Sequence, residues 1–223
     1  MRRLFRSNGL SLVFLALFLA ALIAQSIAGW ADQAEELAAH GRPAIGYIAY
    51  ISSSTFAVDV AENWQSEFLQ FFLYILATVW LVQKGSPESK APAEAGLGDA
   101  ATQRIGPFAD SESPRWARSR GVRLWLLSNS LLLVMGAVFL GSWFAQSLAG
   151  QVVANDENRE HGLPPLTWLD YVCSPEFWSR TLQNWQSEFL AVGAMVVFSV
   201  YLRQRGSSQS KPVGAAHMAT GEK

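Results

Sequence analysis

The chain is short of charge. Only 16% of its 223 residues are Asp, Glu, Lys or Arg, and half are apolar, where a globular domain carries about 25% charged residues. Neither sign is in excess: 17 Lys and Arg stand against 18 Asp and Glu, a formal net charge of −1. That excludes the basic footprint of a nucleic-acid binder. One cysteine, Cys173, excludes an internal disulfide and the cysteine-rich zinc clusters. No phosphate-binding glycine loop, GxSxG elbow, HExxH or CxxC is present. We therefore expect no enzyme and no cofactor.

What is present is apolar and clumped. Residues 10–27, 68–82, 124–148 and 189–202 carry no formal charge. About 20 helical residues cross a 30 Å hydrocarbon core. The first and third tracts meet that length and the other two are short. Arg2, Arg3 and Arg6 before the first tract, with Ser26-Ile27-Ala28 after it, have the outline of a signal peptide. The same small-residue ending recurs at Ser147-Leu148-Ala149, inside the chain, which favours a retained span.

The heptapeptide NWQSEFL occurs twice, at residues 63–69 and 184–190. Sliding the chain by that 121-residue offset, without a gap, pairs Ser7-Asn8 with Ser128-Asn129, Gly29 with Gly150, His40-Gly41 with His161-Gly162, Tyr50 with Tyr171, and Ser89-Lys90 with Ser210-Lys211. Between the pairs 2/123 and 90/211, 35 of 89 are identical. This is the pattern of a tandem duplication. With two spans in each copy, the copies are parallel repeats about an axis along the membrane normal. The expected domains are a first two-span repeat (1–90), a disordered linker (91–121), a second repeat (122–205) and a disordered tail (206–223). The linker and tail are read as disordered because they are rich in Pro, Gly, Ser, Ala and charge. The N-terminus, the segment from Lys84 to Arg123 around the linker, and the chain from Arg203 onward hold 14 of the 17 Lys and Arg, so all three are expected in the cytoplasm. The two connections within the repeats would then face outward, with Asp32, Glu35, Glu36, Asp156, Glu157 and Glu160 making them acidic. The long helices are expected to run on into these connections and to stop at Gly41 and Gly162, each followed by a proline.

Two sets of residues are candidates for chemistry. The tract 68–82 spans only about 22 Å as a helix, so its span must begin near Asn63. That places Glu67, and Glu188 by the same reasoning, roughly 6 Å inside the boundary. Asn63, Glu67, Gln70 and Tyr74 share a helix face, expected to point into the bundle. Glu67 and Glu188, with Asn63, Asn184, Gln25 and Gln146, are expected to form a polar clamp between helices, a snorkelling pair of carboxylates, or a cation or proton site, since an intramembrane ionisable residue suggests function. The second set is Glu36-x-x-x-His40 and Glu157-x-x-x-His161. Spacing of four places each pair on one helix face, where carboxylate and imidazole can ligate a metal. Each histidine equally fits a helix C-terminal cap. Small residues at Ala16, Ala20, Ala24 and Ala28, and at Ala137, Gly141, Ala145 and Ala149, suit close helix packing.

The segments SNGLSLVF, AQSIAGW, HGxP, ENWQSEFLQFFLYIL and LVQKGSPESK together resemble a bacterial family of multi-pass membrane proteins of unknown function. The resemblance covers both halves and omits most of the linker and tail. It implies a bacterial cytoplasmic-membrane location and brings no known activity or ligand. In the second copy Ala191 stands where the first has Gln70, and RQRGSSQSK closes the block. The expectation is an all-α membrane protein of four transmembrane helices in two tandem repeats. Its role would be structural or interactive, its partners the lipid bilayer and membrane or periplasmic proteins met through the outer connections. The alternative is a small cation or proton translocator.

Overall fold

The computed structural model of the protein describes residues 2–221, and among them every regular element is helical. Met1, Glu222 and Lys223, which bound the expected first repeat and tail, lie outside the described residues.

The first copy opens with α1 (Arg2–Ala39), which breaks helical geometry at Asn8 (φ −131°, ψ 20°). The second opens with α4 (Val122–Ser128) and α5 (Ser130–Glu160), separated at the equivalent Asn129 (φ −115°, ψ 8°). There the Asn129 amide donates to the Trp125 carbonyl at 2.8 Å, taking up a carbonyl near the end of the helix. Both long helices end as expected. Gly41 (φ 67°) and Gly162 (φ 68°) sit in the left-handed region. Arg42 N–H donates to the Leu37 carbonyl and Leu163 N–H to that of Asn158, each at 2.8 Å. That six-to-one bond marks a Schellman C-cap.

A short helix then precedes each second long helix: α2 (Tyr47–Ile51) before α3 (Ser54–Trp80), and α6 (Trp168–Val172) before α7 (Pro175–Tyr201). Ser53 Oγ accepts from Phe56 N–H at 3.3 Å and Ser174 Oγ from Phe177 N–H at 3.2 Å, satisfying one orphan donor at each helix start. The polar segment before NWQSEFL runs without interruption into the apolar tract, as expected.

Past α3 and α7 the chain makes the same turn twice. Gly85 (φ 88°) and Gly206 (φ 84°) reverse it. Ser89 Oγ accepts from Gln83 N–H at 3.0 Å and Ser210 Oγ from Gln204 N–H at 2.9 Å. Ser86 Oγ accepts from Glu88 N–H at 3.2 Å and Ser207 Oγ from Gln209 N–H at 3.1 Å. The lysines closing the turns differ. Lys90 donates to the Gly96 carbonyl at 2.6 Å. Lys211, 1% exposed, donates to the carbonyls of Gly85, Ala216, His217 and Ala219 at 2.6–3.2 Å. The linker, expected to lack regular structure, carries three short 3-10 helices (Pro92–Glu94, Gly106–Phe108, Arg115–Arg118).

Two helical stretches, Ser7–Ala39 and Ser130–Glu160, are long and apolar enough to cross a membrane. The expectation of four such helices is not met by this measure. In α3 and α7 the polar NWQSE segment leaves only residues 68–80 and 189–201 apolar. Each is roughly 13 residues, or about 20 Å, against a 30 Å core. The chain divides into two compact units. One runs to Ala61 and takes in Ala145–Val172; the other comprises Glu62–Phe144 and the chain from Cys173.

Candidate functional site

In the first unit, the buried centre of each connection is a tyrosine laid over a glycine. Tyr50 and Tyr171 are 2% and 1% exposed. A Cβ placed on Gly29 or Gly150 would overlap the hydroxyl of Tyr50 or Tyr171. Burial, then the carboxylates of Asp59 and Asp32, push the Tyr50 phenol above its ordinary value. Around this contact, Ser26 Oγ and the Tyr47 hydroxyl are hydrogen-bonded at 2.7 Å, and Trp168 Nε1 donates to Ser147 Oγ at 2.9 Å. Trp30 Nε1 donates to the Ile45 carbonyl at 2.8 Å, and Gln151 Nε2 to that of Leu166 at 2.9 Å. The alanine stripes are not where the close approaches occur: Ala16, Ala20, Ala24, Ala28, Ala137, Gly141 and Ala145 are exposed and Ala149 is half-buried. Packing is tightest one residue away, at Gly29 and Gly150.

His40 Nδ1 lies 2.8 Å from the Glu36 carbonyl, and His161 Nδ1 lies 2.9 Å from that of Glu157. In each pair the backbone of the glutamate, not its carboxylate, meets the ring, which is the capping geometry. Among the described residues, no group of three or more His, Cys, Asp or Glu is placed to hold a metal ion. An ion pair that joins Arg42 to Glu160 ties the two connections together within this unit.

In the second unit, the NWQSEFL segments lie where α3 and α7 exchange polar contacts. The Glu62 carboxylate accepts from Arg180 Nε at 3.0 Å, from Arg180 Nη2 at 2.8 Å and from Asn184 Nδ2 at 2.8 Å. Glu62 is only 13% exposed at its side chain, and Arg180 36%. Trp185 Nε1 donates to Gln65 Oε1 at 2.7 Å. Trp143 of α5 packs against Phe139, Phe177, Trp178 and Trp185, with ring centres 5.6–6.1 Å apart.

The inward face of α3 is therefore not the expected one. Gln65, Ser66 and Leu69 are buried, while Asn63 and Glu67 are exposed. Two residues turn an α-helix by about 200°, so a face built on 65 and 69 puts 63 and 67 on the opposite side. The physical reason is cost. A neutral amide that accepts an indole N–H is cheaper to bury than a carboxylate without a cation. Asn184 does join the clamp. Glu188 is half-buried, with the Ser66 hydroxyl as a hydrogen-bonding neighbour and the Glu67 carboxylate as a like charge nearby. Gln25 is exposed; Gln146 is fully buried, with neither amide atom hydrogen-bonded.

Glu62, Gln65 and Arg180 were missed by sequence reasoning. Gln65 lies inside the repeated heptapeptide, but the helical face was set from Glu67. Glu62 and Arg180 lie at places where the copies differ, opposite Gln183 and Asp59. Their signal was this change of charge just before the repeated heptapeptide, in a stretch where the copies share no residue.

Comparison with curated proteins and with solved structures gives no match. A family model described as a domain of unknown function, DUF6766, matches residues 1–222. The chain belongs to the DUF6766 family.

Proposed function

We propose that the chain is a four-span protein of the bacterial cytoplasmic membrane, made by tandem duplication of a two-span unit, with a structural or interaction role and no catalytic one. The observation that carries this reading is the use made of the buried and half-buried polar groups between α3 and α7. Glu62, Arg180, Asn184, Gln65 and Trp185 all join α3 to α7. That is the work of a scaffold, because satisfied polar groups between helices fix their register. At 27 residues each, α3 and α7 reach about 40 Å. Both can cross a bilayer if their polar first halves face protein and headgroups. The termini and linker lie in the cytoplasm. The exposed acidic ends of α1 and α5 are the surface offered to membrane or periplasmic proteins.

Cys173 makes the topology testable without engineering, because it is the sole cysteine and is exposed. A membrane-impermeant maleimide should label it in intact spheroplasts. In the Cys173→Ser background, a cysteine placed at Ser208 should label only after permeabilisation. The reverse pattern, or recovery of the chain in the soluble fraction, overturns the reading.

One observation favours a second reading, a cation or proton path. Glu188 and Glu67 are like charges with a hydroxyl, Ser66, beside them. Proteoliposomes should then show a cation or proton flux that Glu67→Gln with Glu188→Gln abolishes while thermal melting is unchanged. Absence of flux in the wild type rejects it.

A further inference from the structure

At the end of α3 remote from Glu67, a cleft of about 460 Å³ opens between the last helical turns and the turn at 83–90. One wall is apolar and includes Leu81 and Val196; the other presents Tyr74, Thr78, Ser86 and Glu88. The polar wall is organised by the fold. Ser86 Oγ accepts the N–H of Glu88 and so fixes the residue that carries the carboxylate. The Thr78 hydroxyl donates to the Ile75 carbonyl at 3.0 Å, which leaves its lone pairs to accept. Carboxylate and hydroxyl oxygens gathered beside an aromatic ring make a receptor for an ammonium group. Leu81, on the apolar wall, is 70% exposed, and Trp80 beside it 55%.

We infer that this cleft binds the ammonium headgroup of an aminolipid. The inference rests on the membrane-spanning reading for the source of the ligand. The second copy supplies an internal control. Gln209 and Met195 stand where the first copy has Glu88 and Tyr74, and Gln209 sits in a turn with the same hydrogen bonds. Glu88→Gln and Tyr74→Met therefore give the first copy the residues of the second, and Glu88→Gln keeps the turn.

The test is native mass spectrometry of the full chain in detergent, with phosphatidylethanolamine, phosphatidylglycerol and free ethanolamine as separate probes. The wild type should retain phosphatidylethanolamine in preference to phosphatidylglycerol. Glu88→Gln should lose about tenfold of that preference, the scale of one charge-assisted hydrogen bond, with an unchanged melting curve. Equal retention of both lipids by the wild type, or an undiminished preference in Glu88→Gln, overturns the inference. Displacement of the lipid by millimolar ethanolamine alone assigns the cleft to a free amine and overturns the lipid source. Carbonate extraction of native membranes checks the spanning reading separately. Release of the chain would sink that reading, while the lipid selectivity in detergent still decides the cleft.

Discussion

At residue 47 the first connection has a tyrosine; at 168 the second has a tryptophan. Each reaches the serine 21 residues back, the tyrosine through its hydroxyl and the tryptophan through its indole N–H. The same exchange occurs at Trp30 and Gln151, which donate to the equivalent carbonyls of Ile45 and Leu166. Within a copy, then, what must be preserved is a polar bond of given reach, and several side chains can make it. Contacts between the copies follow the opposite rule. When two matching segments meet, identical residues would set carboxylate against carboxylate. An ion pair needs a difference, and the α3–α7 contact finds it at Glu62 and Arg180, whose counterparts are Gln183 and Asp59, while the neutral Trp185–Gln65 bond uses residues that both copies share.

The comparison can be broken most forcefully at the contact between copies. Arg180→Ala should cost about 2–3 kcal/mol, because it strands a mostly buried carboxylate. Adding Glu62→Gln should return part of that loss in detergent melts. A double variant no more stable than Arg180→Ala would show that the pair is not coupled.

Next come the glycines, where the copies are expected to behave alike. Gly29→Ala and Gly150→Ala should each cost about 1–3 kcal/mol through overpacking. Tyr50→Phe and Tyr171→Phe should relieve the respective clash in part, by removing the hydroxyl that a Cβ would meet first, and relief should be smaller at Gly150, where the ring carbon Cζ also lies 2.8 Å away. A Gly150→Ala protein melting with the wild type rejects the packing account.

A smaller effect separates the two lysines. Lys211→Met removes a buried ammonium that serves four carbonyls, whereas Lys90 donates to that of Gly96. Lys211→Met should be the more destabilising by about 1–2 kcal/mol, the scale of one or two net hydrogen bonds. Equal melting temperatures for the two variants would erase the distinction.

The smallest effect depends on pH and is confined to the second connection. The Thr167 hydroxyl, then its N–H, hold the Asp170 carboxyl below the usual carboxylate range. A depressed folded value means that the contribution is present above the unfolded value of about 3.9. It is lost as pH falls through the folded value. Gly46 and Ala49 occupy the matching places in the first connection. Amide protection, taken relative to the intrinsic exchange rate at each pH, should therefore fall below about pH 4 at residues 167–172 and not at 46–51. Asp170→Asn should abolish that difference.

Much of this was legible in the letters. Helix ends at Gly41 and Gly162, the histidine caps and the continuous α3 all follow from local backbone chemistry, which the sequence states directly. The polar face of α3 did not follow. Polar residues recur around the whole start of that helix, so spacing alone could not choose between the faces of Gln65 and Glu67. The choice was made by a partner 120 residues away, Trp185. Identity between copies was also a poor guide to the clamp, since Glu62 and Arg180 stand where identity fails. The cleft at Glu88 was likewise hidden, because its walls come from α3, the following turn and Val196 of α7.

The cage around Lys211 has one more consequence. Besides the ammonium bond to Gly85, Gly85 N–H donates to Thr220 Oγ1 at 2.8 Å and Gly221 N–H to the Ser86 carbonyl at 3.1 Å. The end of the tail is thus buckled to the turn that closes the first copy. The peptide between Lys90 and Val122 need not be intact for that buckle to hold. A chain cut once in the linker, or expressed as two separate pieces, should co-purify as a pair, and changing Lys211 together with Arg180 should weaken that pairing more than either change alone.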